Sequence, residues 1–202
     1  MKTLGPHVRY KIAKQSTLEL VLGDITEETT DAIVNAANSY LVGGGGVDGA
    51  IHRAAGPQLL EECRKVREQR GTLPPGQAVS TPGCRLKVRY VIHTVGPVWT
   101  GGEKNEPQLL ESCYTHCMEE AERLGCISIS FPSISTGAFG YPVKPAAQIA
   151  VRSVAGFLHR LRAVRLARFV LFDLYSHETY IAAAQELATD FPYLQIVRND
   201  PS

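Results

Sequence analysis

Apolar residues recur along the chain with two different periods. Short runs that alternate or stay apolar predict β-strands over 8–13, 17–22, 32–34, 88–95, 127–134, 168–174 and 194–198, with one further short strand over 77–80. Longer segments with apolar residues every three or four positions predict helices from near 47 to 55 and over 57–70, 107–124, 143–161 and 178–189. Strands that alternate with helices indicate an α/β fold whose largely parallel sheet is covered on both faces.

The strand over 32–34 leads into an unusual loop. Two asparagines, Asn35 and Asn38, are followed by four consecutive glycines at 43–46 and then by a helix. Glycines let the backbone approach a ligand closely, and a helix N-terminus presents unpaired N–H groups with about half a positive charge. We therefore predict an anion site here, with phosphate as its usual ligand.

The helix after the glycines carries a carboxylate and an imidazole on one face. Asp48 and His52 are spaced i, i+4, and an apolar stripe that includes Ile51 forms the other face. The structural alternative is that Asp48 only caps the helix and His52 is a surface histidine. Because the glycines and asparagines lie beside the pair, we favour a functional role for both residues.

A second glycine loop, over 135–142, repeats this arrangement. It also follows a predicted strand and precedes a predicted helix. Ligands of parallel sheets bind beyond the carboxyl ends of the strands, so both loops should lie at one edge. Two loops of backbone donors predict a diphosphate ligand.

Two familiar phosphate motifs do not fit the first loop. Residues 44–49 spell G-x-G-x-x-G, but about ten residues separate this run from its strand, whereas the dinucleotide fingerprint follows the strand at once. A P-loop would need Gly-Lys-Ser/Thr after the glycines, and that sequence is absent. We reject both interpretations.

Composition narrows the class of protein. The 202 residues suit one domain over 1–202 with a core from about 8 to 198, and a net charge of +1 argues against membrane or nucleic-acid binding by bulk electrostatics. No signal-peptide core or run of roughly 18 apolar residues is present, so we expect a cytoplasmic protein. The partner should be a small molecule.

We interpret the arginines at 160, 162, 165 and 168 as a solvated helix end.

The cysteines do not indicate a metal. Five are present, with no C-x-x-C pair. Cys113 and Cys117 share a helix face near His116, but the ligand spacing of a zinc site is missing, and cysteine is a common core residue. We predict no metal and no cofactor.

Several motifs together resemble the macro domain family, in its MacroD-like branch. They are Gly-Asp-Ile-Thr at 23–26, Asn-Ala-Ala-Asn at 35–38, the run over 43–57, Tyr-Val-Ile-His-Thr-Val-Gly-Pro at 90–97 and Ser-Thr-Gly-Ala-Phe-Gly-Tyr-Pro at 135–142. The match extends in order from about 17 to 190. It implies a three-layer α/β/α sandwich with a mixed, mostly parallel sheet of six or seven strands. It also implies binding of ADP-ribose, removal of mono-ADP-ribose from acidic side chains of proteins, and deacetylation of O-acetyl-ADP-ribose. We expect the protein to be a monomer.

The resemblance also implies roles for individual residues. Asp24 would accept from the adenine amino group, Ile25 would line its pocket, and Phe172, followed by Asp173, would stack on the ring. The diphosphate would lie between two sets of residues: Gly44, Gly45, Gly46 and Val47 on one side, and Ser135, Thr136, Gly137, Ala138, Phe139 and Gly140 on the other. Phe139 would also cover the distal ribose, and Asn38 would hold its hydroxyls. Asp48 and His52 would face the scissile bond, with Asp48 positioning or activating a water, although the diphosphate could share that activation.

Each role has a structural alternative. Asp24 could be a turn residue, and Phe172 and His93 could belong to the core. We place Asn35 among the residues that bind ADP-ribose, but it could instead bracket the loop. A reader module that binds ADP-ribose without cleaving it is the competing class, and we favour the enzyme because the Asp48 and His52 pair is present. A hydrolase of ADP-ribosylated nucleic acid is a third interpretation, but neither glycine loop contains the lysine it would need.

Two positions depart from the family pattern. Leu174-Tyr175-Ser176 follows Asp173 where an acidic pair is common, and Phe139 replaces a frequent tyrosine. The first departure makes the contacts at the adenine end less secure. Neither touches the proposed catalytic pair.

Overall fold

A computed structural model describes residues 7–12, 15–160, 163–191 and 194–197 of the chain. They contain eight strands: β1 (His7–Ile12), β2 (Ser16–Leu22), β3 (Ala32–Ala36), β4 (Ala78–Pro82), β5 (Tyr90–Thr94), β6 (Ser128–Phe131), β7 (Leu166–Leu171) and β8 (Leu194–Val197). They also contain five α-helices and one short 3-10 helix: α1 (Gly46–Ala55), α2 (Pro57–Arg70), α3 (Glu106–Arg123), α4 (Val143–His159), α5 (Leu174–Asp190) and the 3-10 turn Ile25–Glu27.

All eight strands form one mixed sheet in the order β4-β5-β3-β6-β7-β2-β1-β8. The five strands from β5 to β2 pair in parallel, while β4, β1 and β8 are antiparallel to their neighbours. The sheet therefore has eight strands, where the family resemblance implied six or seven. The short strand that the apolar pattern predicts near 77–80 is one of them, and it pairs with β5 along its whole length.

Helices cover both faces of the sheet, which confirms the three-layer α/β/α sandwich. On one face α3, α4 and α5 bury a large apolar cluster that includes Phe131 and Phe169. On the other face α1 and α2 bury a smaller cluster that includes Ile33, Ile51 and Leu59. Both faces of the central strands are thus removed from water, which explains why those strands are continuously apolar.

Two predicted strands end earlier than their apolar runs suggest. The strand over 127–134 ends at Phe131, because Pro132 has no N–H for the ladder. The strand over 168–174 ends at Leu171, and α5 begins at Leu174 instead of 178. The cause is Asp173, whose carboxylate accepts from the Ser176 amide at 2.8 Å and caps the helix.

The ends of three predicted elements, at residues 13, 161 and 198, lie outside the described residues, as does Arg162. None of the helices in the described part of the chain combines the length and apolar character needed to cross a bilayer.

The prediction that Arg168 belongs to a solvated helix end was wrong. It lies on β7, where its guanidinium pairs with Glu19 at 2.7 Å and with Glu28 at 2.8 Å. The two carboxylates are only 3% and 7% exposed. Burial would raise the pKa of Glu19, but Arg168, with His7 and Arg9, outweighs that effect and holds the pKa below its usual value. This contribution to stability is therefore present at neutral pH and lost as the pH falls into the acid range.

Replacing Arg168 by methionine should destabilise the fold by about 2–4 kcal/mol, because two buried carboxylates lose their shared cation. Urea unfolding at neutral pH measures this change. The matched control is Arg123→Met, whose side chain is 65% exposed and pairs with Glu120 within α3. That change should cost less than about 1 kcal/mol. Equal losses in the two variants would contradict the structural importance of the buried pair.

Candidate functional site

Two neighbouring cavities open at the carboxyl edge of the parallel strands. The first has a volume of about 470 Å³ and lies between the turn after β2 and the turn after β7. The second, of about 360 Å³, lies between the two glycine loops. Gly46, Val47, Ser133 and Gly137 line both cavities, so the cavities meet at this shared wall.

The first cavity has an apolar floor and a polar rim. Ile25, 5% exposed, and Val170, 4% exposed, contribute buried apolar surface. Asp24 lines the cavity, and its carboxylate also accepts from the amide and hydroxyl of Thr26 at 2.9 and 2.8 Å. The structural alternative for Asp24, a turn residue, is therefore correct and compatible with a role in the cavity.

Phe172 is 86% exposed and stands at the edge of the first cavity, so the alternative that it belongs to the core is wrong. Asp173 lies beside it. Hydrogen bonds from the amide and hydroxyl of Ser176 lower the pKa of Asp173, which keeps a carboxylate at this rim. An exposed aromatic ring above an apolar floor is a surface on which a flat ring can stack.

The first glycine loop is held by Asn38. Its side-chain amide donates to the Gly43 carbonyl at 2.9 Å, and its oxygen accepts from the Tyr40 amide at 3.1 Å. Asn38 also lines the second cavity. It therefore shapes the loop while facing the space where a ligand would lie. The loop delivers the chain to Gly46, where α1 begins, and the first N–H groups of that helix have no partner within it.

The second glycine loop passes close to the end of β5. Ser135 adopts a φ of +66°, and its buried hydroxyl oxygen has no hydrogen-bond partner among the described residues. A Cβ at Gly96 would overlap that hydroxyl and would lie 2.7 Å from Ile134 Cγ2. Only glycine allows this close approach. In the sequence Gly96 marks only the end of a strand, and its contact with Ile134 and Ser135, 38 and 39 positions later, could not be read from it.

Asp48 lies at the wall of the second cavity and is 5% exposed. Its Oδ1 accepts from the Asn35 side-chain amide at 2.8 Å and lies 3.3 Å from His52 Nε2. Its Oδ2 lies next to Gly44, where a Cβ would come within 3.1 Å of it. One carboxylate oxygen is thus held by two side chains, and the other remains beside the glycine loop.

Behind Asp48 the hydrogen bonds continue into the sheet. Asn35 and His93 are register partners on β3 and β5, and the Asn35 amide nitrogen lies 3.1 Å from His93 Nδ1. An amide oxygen turned toward Asp48 would face a carboxylate oxygen, so Asn35 presents its NH₂ group to both neighbours. His93 Nδ1 then accepts, and Nε2 donates to the Thr81 hydroxyl at 2.9 Å. Complete burial, and secondarily the nearby His52, lower the pKa of His93 to about 4, so the ring is neutral.

Most of the predicted site residues line one of the two cavities: Asp24, Ile25, Asn38, Gly44, Gly45, Gly46, Val47, Asp48, Ser135, Thr136, Gly137, Ala138, Phe139, Phe172 and Asp173. Three do not: Asn35, His52 and Gly140. Asn35 is fully buried, so its placement contradicts the expected ligand contact and favours the structural alternative. It supports Asp48 from behind, because it belongs to the sheet and not to the loop.

Sequence reasoning missed several lining residues, notably Arg53, Ser133 and Ser176. For Arg53 a signal existed, because it follows Ala50 by three positions and therefore shares a face of α1 with it. For the two serines the position depends on the turns after β6 and β7, which the sequence did not locate.

The cysteines considered for metal binding belong to the core. Cys113 and Cys117 are fully buried, the Cys113 thiol donates to the Val95 carbonyl at 3.3 Å, and His116 Nδ1 lies 2.6 Å from the Gly76 carbonyl. Within the described residues, no group of three or more potential ligand side chains is arranged to hold a metal ion.

A three-layer sandwich with a two-part cleft of this kind, beyond the carboxyl ends of its parallel strands, is typical of proteins that bind nucleotides. The family model described as Macro domain matches residues 34–150. The chain belongs to the macro domain family.

Known relatives agree with this assignment. A protein of Salmonella newport (strain SL254) named O-acetyl-ADP-ribose deacetylase is 54% identical over 158 residues, covering 78% of this chain and 88% of that protein. A Citrobacter koseri protein of the same name is 55% identical over 159 residues, covering 79% and 90%.

Solved macrodomain structures share the fold. The Oceanobacillus iheyensis macrodomain with ADP has a TM-score of 0.88 at 44% identity, covering 92% of this chain and 98% of that one. The Trypanosoma brucei macrodomain in complex with ADP-ribose has a TM-score of 0.74 at 41% identity, covering 81% and 67%.

The neutral state of His93 predicts a pH-dependent stability. Between pH 6.5 and about 4 the unfolded chain binds a proton at this ring and the folded chain does not, so the free energy of unfolding should fall by about 3 kcal/mol as the pH drops through that interval. His93→Gln should lack this part of the slope, as measured by urea unfolding at a series of pH values. His116→Gln, outside the network, should retain it. A slope identical in wild type and His93→Gln would contradict the neutral buried ring.

Proposed function

We propose that this chain is an ADP-ribose-binding hydrolase that deacetylates O-acetyl-ADP-ribose and removes mono-ADP-ribose from acidic side chains of proteins. The observation that carries this proposal is the Asp48 carboxylate, which is nearly buried, lines the second cavity and is fixed by Asn35 and His52. A buried charge is costly to maintain, so its presence at the wall of a cavity favours a chemical role.

The shape of the cleft supports ADP-ribose as the ligand. Adenine would stack on Phe172 over Ile25, with Asp24 accepting from its amino group. The diphosphate would cross the shared wall, where the first amides of α1 and the second glycine loop converge. The distal ribose would then occupy the second cavity beside Asp48. The relatives named O-acetyl-ADP-ribose deacetylase and the solved macrodomains with ADP or ADP-ribose support a ligand of this class.

In the proposed reaction Asp48 Oδ2 holds a water molecule and removes its proton. The water oxygen forms a bond to the ester carbonyl carbon, the bond from that carbon to the ribose oxygen breaks, and the ribose oxygen takes up the proton that Asp48 removed from the water. The products are ADP-ribose and acetate, or ADP-ribose and the free acidic side chain. Asn35 and His52 hold Oδ1, which leaves Oδ2 for the water.

The competing functions lack support of this kind. A reader that only binds ADP-ribose has no need of a buried carboxylate held by two side chains. A hydrolase of ADP-ribosylated nucleic acid would need a lysine near the distal ribose, and neither 43–49 nor 135–142 contains one. The proposed enzyme acts as a cytoplasmic monomer without metal or cofactor, on a small ligand or a modified protein and not at a membrane.

Asp48→Asn should reduce turnover about a hundredfold or more, because the amide cannot accept the proton of the water. The affinity for ADP-ribose should stay within about threefold of wild type, since Asp48 contributes little to binding the ground state. The measurements are acetate release from O-acetyl-ADP-ribose, ADP-ribose release from a glutamate-modified protein, and calorimetric titration with ADP-ribose. Asp190→Asn, at the exposed end of α5, is the matched control. Wild-type turnover by Asp48→Asn would exclude the proposed role of Asp48, whereas binding of ADP-ribose without turnover in the wild type would favour the reader.

Phe172→Ala should weaken ADP-ribose binding about fivefold to a hundredfold, because stacking of a base on an aromatic ring is worth about 1–3 kcal/mol. Turnover at saturating substrate should change little, since the ring lies at the opposite end of the cleft from Asp48. Tyr175→Ala is the control, because Tyr175 is also an exposed ring, 66% exposed, but lines neither cavity. Equal effects of the two substitutions on affinity would argue against adenine in the first cavity.

A further inference from the structure

Ser133 occupies a special position in the cleft. Four residues line both cavities, and the other three are Gly46, Val47 and Gly137. Ser133 is therefore the member of this shared wall that carries a polar side chain. It reaches the wall because β6 ends at Phe131 and Pro132 turns the chain toward the cleft.

The hydroxyl oxygen of Ser133 already accepts two hydrogen bonds. One comes from the Tyr180 hydroxyl at 2.9 Å. The other comes from the Thr136 hydroxyl, whose oxygen lies 2.8 Å from the Ser133 hydroxyl oxygen and 3.2 Å from the Ser133 carbonyl oxygen, so the shorter contact is the main bond. A serine hydroxyl has two acceptor positions and one donor hydrogen. Both acceptor positions are filled, so the capacity that remains for a ligand is the donor hydrogen.

The direction of the bond from Tyr180 is set deeper in the core. The Ile134 amide donates to the Tyr114 hydroxyl at 3.2 Å, and the two tyrosine hydroxyls lie 3.4 Å apart. Tyr114 can then give its hydrogen to Tyr180, which gives its own to Ser133. Both tyrosines are fully buried, and burial raises the pKa of each, so both stay protonated donors at neutral pH. A chain of hydroxyls thus runs from α3 through α5 to the cleft and ends on a donor.

We propose that Ser133 is a binding residue that donates its hydroxyl hydrogen to a diphosphate oxygen of the ligand, and that Tyr180 is the positioning residue that orients it. This inference rests on the proposed function, because it takes the ligand's diphosphate to cross the shared wall. It adds a side-chain donor to the backbone amides that the proposed function assigns to the diphosphate. The ligand class it selects is a nucleoside diphosphate, since a nucleoside without phosphate offers this hydroxyl no anionic acceptor.

The test is a comparison of ADP-ribose and adenosine as ligands of wild type, Ser133→Ala and Tyr180→Phe. Ser133→Ala should bind ADP-ribose about tenfold to a hundredfold more weakly, because it loses a hydrogen bond to a charged group. Tyr180→Phe should lose about threefold to tenfold, because the serine hydroxyl remains but one of its two fixed partners is gone. Adenosine affinity, followed by NMR titration, should stay within about twofold in both variants, since adenosine lacks the diphosphate acceptor. Turnover at saturating O-acetyl-ADP-ribose should also stay close to wild type, so the loss appears in KM.

Two controls separate this role from a structural one. Ser153→Ala removes a hydroxyl that bonds to the Ile149 carbonyl on α4, and Tyr10→Phe removes a buried hydroxyl without a hydrogen-bond partner among the described residues. Neither should change ADP-ribose affinity, and thermal unfolding verifies that every variant is folded. Unchanged ADP-ribose affinity in Ser133→Ala would overturn the inference and leave the proposed function intact, as would an equal loss for adenosine. Failure of the wild type to prefer ADP-ribose over adenosine would overturn the proposed function and this inference with it.

Discussion

The site depends on one hydrogen bond, from the Asn35 amide to Asp48 at 2.8 Å. Asn35 belongs to the sheet, whereas Asp48 belongs to the first turn of α1. The bond therefore joins the loop that approaches the ligand to the most rigid part of the fold. A buried carboxylate without such a partner would cost several kcal/mol, so α1 cannot rotate or shift without breaking the bond. The position of the cleft wall follows from this constraint.

The same constraint explains how much of the site was predictable from sequence. The spacing of Asp48 and His52 placed both side chains on one helix face, and the glycines located the start of α1 to within one residue of Gly46. These are local properties that helix geometry dictates. The support of Asp48 is not local, since Asn35 and His93 are 58 positions apart and meet through strand register. Periodicity predicts that a strand exists, but not which residue of another strand lies beside it.

Non-local pairing also explains the errors. Arg168 followed a basic helix end in the sequence, and only the parallel pairing of β7 with β2 brings it against Glu19. The apolar run that ends at Leu174 predicted a strand. Instead, Asp173 caps a helix, and Leu174 is the first residue of α5. That cap is what exposes Phe172 at the cleft. A segment can either extend a strand or begin a helix at a side-chain cap. Which of the two occurs depends on whether a neighbouring strand continues alongside it, and the sequence of one segment does not reveal that.

Two series of hydrogen-bonded polar groups approach the cleft from opposite faces of the sheet. One ends on a hydrogen-bond acceptor and the other on a donor. From β4 and β5, Thr81 and His93 lead through Asn35 to a carboxylate, which accepts. From α3 and α5, the tyrosine hydroxyls lead to Ser133, which is left to donate. An enzyme that hydrolyses a carboxylic ester on a ligand containing a diphosphate needs both, because its water must lose a proton near the ester while the anionic diphosphate oxygens are held elsewhere in the cleft. The neutral state of His93 maintains this polarity. A protonated ring would point a hydrogen at the Asn35 NH₂ group in place of an acceptor, so the 3.1 Å contact between His93 Nδ1 and the Asn35 nitrogen would set two donors against each other. The donor-to-acceptor direction of the hydrogen bonds from His93 through Asn35 to Asp48 is therefore fixed by one uncharged imidazole buried in the sheet.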